Sequence, residues 1–404
     1  MPTPNPSSSP APRVRPRIHI PLPRLEVENF GPIKKADVEF GSLNVFVGPQ
    51  AAGKSLFLQL MKLVVDVSHV KQEFKRAGVD WQGKFETFMD VYFGEGMKSL
   101  WSARRTSVKF DGDVISLPEL VENTKAKKAE SMFFIPAQRV LAFRDGWPQA
   151  FTYYDPGVPF ALREFSEELR LMISDLGTAE TLFPVPRRLK DEFRELLQKH
   201  IFPGFNLKVD AQRAQKRLVL SDAGKESGGL PFVVWSAGQR EFVPLLLGLY
   251  WLMTPAGASR RKGIEWVVIE ELEMGLHPRA IAVVMLMIFE LAARGYKVCI
   301  STHSPQVLDA MWALKHLKAN KATPEALLSV FEAPKTAPMI KLARDVMLKS
   351  QRVYYFDRDA GITRNISGLD PFSEDVGESG WGGLSEFSSR ANDAVATAVA
   401  NANS

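Results

Sequence analysis

One string of eight residues constrains this chain more than anything else in it: Gly48-Pro49-Gln50-Ala51-Ala52-Gly53-Lys54-Ser55. It fits G-x-x-x-x-G-K-[ST], and its flanks are the ones that pattern needs. Leu43 to Val47 is apolar apart from Asn44, as a strand buried on both faces should be. From Ser55 to about His69, Leu56, Leu60, Leu63 and Val64 recur at helical spacing. A strand that turns through two glycines into a helix aims successive backbone N–H groups at one point. A phosphate binds there, helped by the partial positive charge of the helix N-terminus. Lys54 then reaches the β- and γ-phosphates of a nucleotide, and the Ser55 hydroxyl ligates Mg²⁺. The bland alternative, a chance glycine turn, explains neither flank.

Three later segments extend this chemistry. Trp266-Val267-Val268-Ile269 is an apolar strand ending in Glu270 and Glu271. Beside a phosphate loop, one carboxylate there holds Mg²⁺ through water and the next polarises the attacking water. Ser301-Thr302-His303-Ser304 ends another apolar strand, with His303 lying 33 residues after Glu270. That is where the next parallel strand of a strand–helix–strand unit ends, so His303 is expected at the γ-phosphate. Ser236-Ala237-Gly238-Gln239 is a small-residue turn opening a helix, a further N-terminal anion site. The carboxylates could alternatively form an exposed acidic turn and the histidine a hydrogen-bonded structural residue, each of which is commoner in isolation.

In this order the motifs resemble the ABC-type P-loop ATPase core of the RecF, SMC and OLD group, of the stand-alone kind found in bacterial anti-phage systems. VENFGPIKKADVEF resembles that group's opening hairpin, and Gly275-Leu276-His277-Pro278 its segment after the acidic strand. The resemblance implies an α/β fold, with a mixed sheet, an N-terminal antiparallel hairpin and an inserted, mostly helical lobe. It implies ATP and Mg²⁺ as cofactors. Gly48, Pro49, Gln50, Ala51, Ala52, Gly53, Lys54, Ser55 and Leu56 would bind the nucleotide, and Ser55, Glu270 and Gln138 the metal. Gln138, in the strand-like FFIPAQR at 133–139, stands for the family's Q-loop glutamine. Glu271 and His303 would be catalytic, with a swap of roles between Glu270 and Glu271 left open. Ser236, Ala237, Gly238 and Gln239 form the signature, which in this family caps the ATP of a second copy. Two ATPs are then buried between head-to-tail subunits. The chain departs from the family at Gln50 and Ala51, where asparagine and glycine are usual. It departs again at Glu270, where aspartate is usual, and at Leu272, where proline is usual.

The rest of the chain organises around that core. The first 23 residues hold eight of 27 prolines, with Arg13, Arg15 and Arg17, and are expected to be a disordered arm. The core is expected over 24–70 and 231–318, the lobe over 71–230, and a C-terminal segment with a frayed end over 319–404. Helices are expected at 161–176 and 188–201, and one more strand at 353–356. The net charge of +5 falls to about +1 once Arg13, Arg15, Arg17 and Arg24 are set aside, so composition argues only weakly for nucleic acid. Lys125, Lys127 and Lys128 with Arg104 and Arg105 form either a basic patch or a solvated face. The single Cys299 fits a reducing compartment, and no apolar stretch reaches 18 residues, so a cytoplasmic chain with no membrane partner is expected.

Function then divides by class. The first reading is a dimeric ATPase that gates a separately encoded effector, a nuclease or toxin, or a nucleic-acid transaction, in anti-phage defence. A RecF-like repair ATPase is its nearest alternative. A transporter nucleotide-binding subunit is disfavoured, because 34 positions separate Ser236 from Glu270 and the proline is missing. A nuclease with a Toprim-like end would use Asp357 and Asp359, with Glu332 upstream, but an acidic surface turn explains them better, since such a domain would be cramped.

Overall fold

The computed structural model describes residues 22–123, 129–175, 181–185, 189–210, 216–222, 228–253 and 260–402. The basic arm lies outside these apart from its last two residues, as do Lys125, Lys127 and Lys128. The chain opens with a hairpin, β1 (Arg24–Phe30) and β2 (Ile33–Glu39), turning at Gly31-Pro32. Its register pairs Leu25 with Val38, Val27 with Ala36 and Phe30 with Ile33, so one face is wholly apolar and buried. β3 (Leu43–Val47) follows, then the long helix α1 (Lys54–Arg76), α2 (Phe85–Phe93), β4 (Ser107–Phe110), β5 (Asp113–Val114) and α3 (Leu117–Asn123). Next come β6 (Met132–Ile135), the short β7 (Phe143–Arg144) and β8 (Trp147–Pro148), α4 (Phe160–Asp175), β9 (Thr181–Phe183) and α5 (Asp191–His200). β10 (Phe205–Asp210), β11 (Arg217–Asp222) and β12 (Leu230–Pro231) lead to α6 (Ala237–Leu252), β13 (Trp266–Ile269), α7 (Pro278–Ala293) and β14 (Lys297–Ser301). The chain ends through α8 (Pro305–Ala319), α9 (Pro324–Val330), α10 (Ala337–Met347), β15 (Gln351–Asp357), β16 (Ile362–Asn365), α11 (Val376–Ser379) and α12 (Glu386–Ala402).

Ten strands form one mixed sheet in the order β5-β4-β1-β2-β16-β15-β3-β14-β13-β6. The five from β15 to β6 are parallel, so the segments leaving their C-terminal ends share one edge. Alternate residues of these strands enter two different cores. Val45, Val47, Phe133, Ile135, Val267, Ile269, Val298 and Ile300 pack with α6 and α7. Phe46, Met132, Phe134, Trp266, Val268 and Cys299 pack with the hairpin, α1 and α2. This two-sided burial explains the unbroken apolar strings. It also explains Asn44, whose amide is fully buried and bonds Gly41 and the Val298 carbonyl.

The region expected as a mostly helical lobe over 71–230 carries the helices α2 to α5, and strands that were not expected. β4 and β5 extend the hairpin edge of the main sheet, and β6 closes its other edge beside β13. β9–β12 make a separate four-stranded antiparallel sheet whose Leu207, Leu218 and Leu220 pack into the same core as α6. Short alternating strands such as FNLKVD and RLVLSD carry a weaker periodic signal than the flanking amphipathic helices. α4 and α5 lie close to the expected helices. The C-terminal segment also differs from expectation. β15 inserts directly beside β3, and the Ala-rich tail forms helix α12, in keeping with alanine's helix propensity, exposed from Glu386 to Asn401. Among the described residues no helix is long and apolar enough to cross a membrane.

Candidate functional site

The loop between β3 and α1 is shaped by backbone that side chains resist. Gly48 has φ +141°, and a Cβ on it would stand 2.4 Å from the Phe356 carbonyl oxygen of β15. Gly53 has φ +94°, and a Cβ there would meet Ile33 at 2.7 Å. Ala51, where glycine is usual in the resembled family, also sits in the left-handed region at φ +60°. No side chain caps α1 at Gly53, which leaves the first-turn amides of Lys54, Ser55 and Leu56 free of side-chain competition. The Lys54 ammonium is buried and donates to the Gly48 carbonyl at 2.6 Å and the Pro49 carbonyl at 2.9 Å. Burial pulls its pKa down to about 8 against the opposing pull of Glu271, Glu273 and Glu270.

Those carboxylates come from the loop after β13. Glu270 is 3% exposed. Its Oε2 accepts from the Ala137 amide at 3.1 Å, while its Oε1 is buried without a hydrogen-bond partner. Burial raises its pKa, and a hydrogen bond from the Ser55 hydroxyl opposes the rise. Glu271 occupies φ +42°, a conformation of order 1–3 kcal/mol above the ordinary ones. Its amide donates to the Ser301 carbonyl at 2.9 Å, and its Oε1 lies 3.8 Å from His303 Nε2. Burial, then the Lys54 charge, pushes the His303 pKa down, so the imidazole is neutral near pH 7.

Two residues that the motifs did not single out hold these groups in place. Glu273 accepts from the Thr302 hydroxyl at 2.9 Å and from the His303 amide, which fastens the β14 loop to the β13 loop. Three carboxylates within four residues were its only signal. Arg139 follows Gln138 in the turn after β6 and is fully buried. It donates to the carbonyls of Glu241 at 3.0 Å, Glu270 at 2.9 Å and Glu271 at 3.1 Å. Burial pulls its pKa down against Glu241 and the other carboxylates, but an arginine stays charged regardless.

Several other residues of the motifs have local partners of their own. Ser236 caps α6 by accepting from the Gln239 amide, and the Gln239 side chain accepts from the Ser236 amide in return. The Gln239 carboxamide oxygen is therefore engaged within the cap. Gly238 has no room for a Cβ, which would stand 2.6 Å from the Gly275 carbonyl oxygen. His277 caps α7, with Pro278 in its first turn. Gln138 is exposed, one residue from the amide that binds Glu270. Asp357 does not form an open acidic pair with Asp359. It accepts from the amides of Asp359 and Ala360 and is bound by Arg364 at 2.6 Å, while Glu332 sits in the turn after α9, off any strand. A cavity of about 730 Å³ lies away from this centre, lined by Arg144, Trp147, Tyr153, Arg170, Lys216 and Arg217. Its Arg170 and Arg217 are already paired with Glu167 and Asp210.

The residues fit a nucleotide with a divalent cation. Free amides and a lysine converge where a phosphate would sit. The orphaned Glu270 Oε1, on the carboxylate that Ser55 also binds, is an unsatisfied anionic acceptor of the kind a hydrated Mg²⁺ answers.

No curated protein matches the chain. Two solved structures resemble it distantly. One is an SmcHead bound to the C-winged helix domain of ScpA, with 12% identity and a TM-score of 0.38 over 70% of this chain and 89% of that one. The other is the SMC head domain from Thermotoga maritima, with 10% identity and a TM-score of 0.30 over 72% and 92%. The family described as "AAA domain, putative AbiEii toxin, Type IV TA system" matches residues 43–309, from the first residue of β3 into α8. With the phosphate loop, the acidic strand end and the His303 loop all inside that match, the chain belongs to this AbiEii-like AAA-domain family of P-loop ATPases.

Proposed function

We propose that the chain binds ATP with Mg²⁺ and hydrolyses it, and that the bound nucleotide joins two copies head to tail. The observation that carries the reading is Glu270. It is a buried carboxylate with one oxygen unpaired, bound by the phosphate-loop serine, and the strained Glu271 follows it. Ser55 and Glu270 would hold the cation, which would supply positive charge beside the phosphates. The backbone N–H groups between Gly48 and Leu56, of which Pro49 has none, would cradle the phosphates, with Lys54 as the countercharge. Glu271 takes the proton of the attacking water, and neutral His303 holds the γ-phosphate side through its imidazole. With its pKa pushed down, His303 is in the neutral state this role needs.

The second copy is inferred from the signature. The Ser236–Gln239 turn is capped internally and packed on Gly275, so it presents a rigid helix N-terminus rather than a loop able to fold back on its own nucleotide. The family's description as a toxin of a type IV toxin–antitoxin system favours a role in which ATP state restrains or releases a toxic activity, as in anti-phage defence. Glu271→Gln tests the assembly. It removes the proton acceptor but keeps the shape, so with Mg²⁺ and ATP it should elute as a dimer on size-exclusion chromatography, and without ATP as a monomer. A variant that binds ATP yet stays monomeric at micromolar concentration would sink the dimer.

A further inference from the structure

We propose that Arg139 is a positioning residue for the hydrolytic site, setting the backbone of Glu271 and locking the second turn of α6 to it. The inference rests on the ATPase reading above for the reaction it serves, but its geometry stands independently. Arg139 is buried to 0% exposure, and its guanidinium reaches three carbonyls from two segments remote in sequence. Nη1 and Nη2 take the carbonyls of Glu270 and Glu271, and Nε takes that of Glu241, whose carboxylate lies 3.7 Å away.

This fork does two things at once. First, it holds a strained peptide. Glu271 at φ +42° persists only if its surroundings over-determine it. The amide is fixed by Ser301 and the carbonyl by Arg139 and the Met274 amide. Removing one clamp lets the backbone relax and swings the carboxylate away from where a water must sit. Second, it joins α6 to that peptide. Glu241 lies in the second turn of α6, five residues beyond Ser236, and Gly238 packs against Gly275. A push on the signature turn therefore reaches Glu271 through one rigid group. Arg139 is also a buried positive charge beside Glu241, Glu270, Glu271 and Glu273, the last three of which Lys54 faces as well, so its loss weakens the compensation of those carboxylates. A lysine keeps the charge but cannot supply the planar fork.

The test uses the full chain carrying Arg139→Lys or Arg139→Gln. ATP affinity should stay within about threefold of wild type, since no phosphate contact is touched, while turnover falls about 10- to 100-fold at unchanged KM. Lysine should not rescue it. Hydrogen exchange read by mass spectrometry without nucleotide should speed up together over 236–241 and 270–276, with 53–58 unchanged. Wild-type turnover in both variants would overturn the proposal. So would unaltered exchange in both segments, or a loss of ATP binding and protection spread across the whole sheet, which marks a merely structural arginine. Should the wild-type chain neither bind nor cleave ATP, the ATPase reading fails, and the joint exchange of the two segments alone decides whether Arg139 couples them.

Discussion

At the scale of single residues, the phosphate loop is shaped by contact as much as by conformation. Gly48→Ala forces a Cβ to within 2.4 Å of the Phe356 carbonyl oxygen at φ +141°. It should cost about 1–3 kcal/mol of stability and displace the loop, a loss that urea denaturation would measure. Ala51 is the reverse case. At φ +60°, Ala51→Gly removes about 1–2 kcal/mol of left-handed strain against about 0.4–1 kcal/mol of added chain entropy in the unfolded state. The variant should be equal to or slightly more stable than wild type, and a clear destabilisation would contradict that account. Lys54 and Ser55 were marked in the sequence by the glycine loop between an apolar strand and a helix, and Glu270, Glu271 and His303 by the ends of apolar strands. Arg139 and Glu273 were not. Arg139 acts on residues more than 100 positions away, and nothing local marks a buried arginine. Glu273 reads as one more acid in an acidic turn until Thr302 and His303 are seen against it.

At the scale of elements, α1 does more than present the phosphate loop. It departs from helical geometry at Asp66, whose carboxylate accepts from the amides of Ser131 and Met132 at the start of β6. One turn earlier, Lys62 is fully buried and ion-paired with Asp66, Glu130 and Glu164, and His69 bonds Glu164 at 2.7 Å. Burial raises the Glu130 pKa to about 8, with Lys62 opposing and Glu164 adding to it. Burial lowers the His69 pKa, but the Glu164 hydrogen bond and charge outweigh it and leave the value raised. Glu168, on α4 beside them, is likewise raised by burial, to about 7. The folded chain thus holds more protons than the unfolded one between the ordinary carboxylate value and about pH 8, and stability falls as pH rises through that window. His69 adds to the same slope, its contribution complete below pH 6.5 and lost as pH rises through its folded value. Melting temperature should be higher at pH 6 than at pH 8, and Glu130→Gln should flatten the difference. An unchanged slope in that variant would place the titration elsewhere. The apolar strands, β15 among them, and α4 and α5 were readable, but the place of β15 in the sheet was not. Its VYYF run was seen as a strand, yet only the register with β3 places its end against Gly48 rather than in a separate metal-binding domain.

At the scale of the whole molecule, the five parallel strands explain why distant motifs meet. Their ends deliver the loop at 48–55, Glu270, His303 and the Ala137 amide to one edge, where ligands bind in open α/β sheets. That convergence was legible from motif order alone. The four-stranded sheet and the strands of the region at 71–230 were not, because their pairing is long-range and their alternation short. The mean charge offers little on partners, so what distinguishes this chain lies in the surfaces around the core rather than in its composition. The central claim is ATP hydrolysis at the phosphate loop, and phosphate release from Mg²⁺-ATP by the full chain, compared with Lys54→Ala and Glu271→Gln, tests it most directly. The account predicts Mg²⁺-dependent release by wild type, none above background with Lys54→Ala through lost binding, and about a 10²- to 10⁴-fold slower rate with Glu271→Gln at retained ATP affinity. Equal release from all three proteins, or no ATP binding by the wild-type chain, would contradict it.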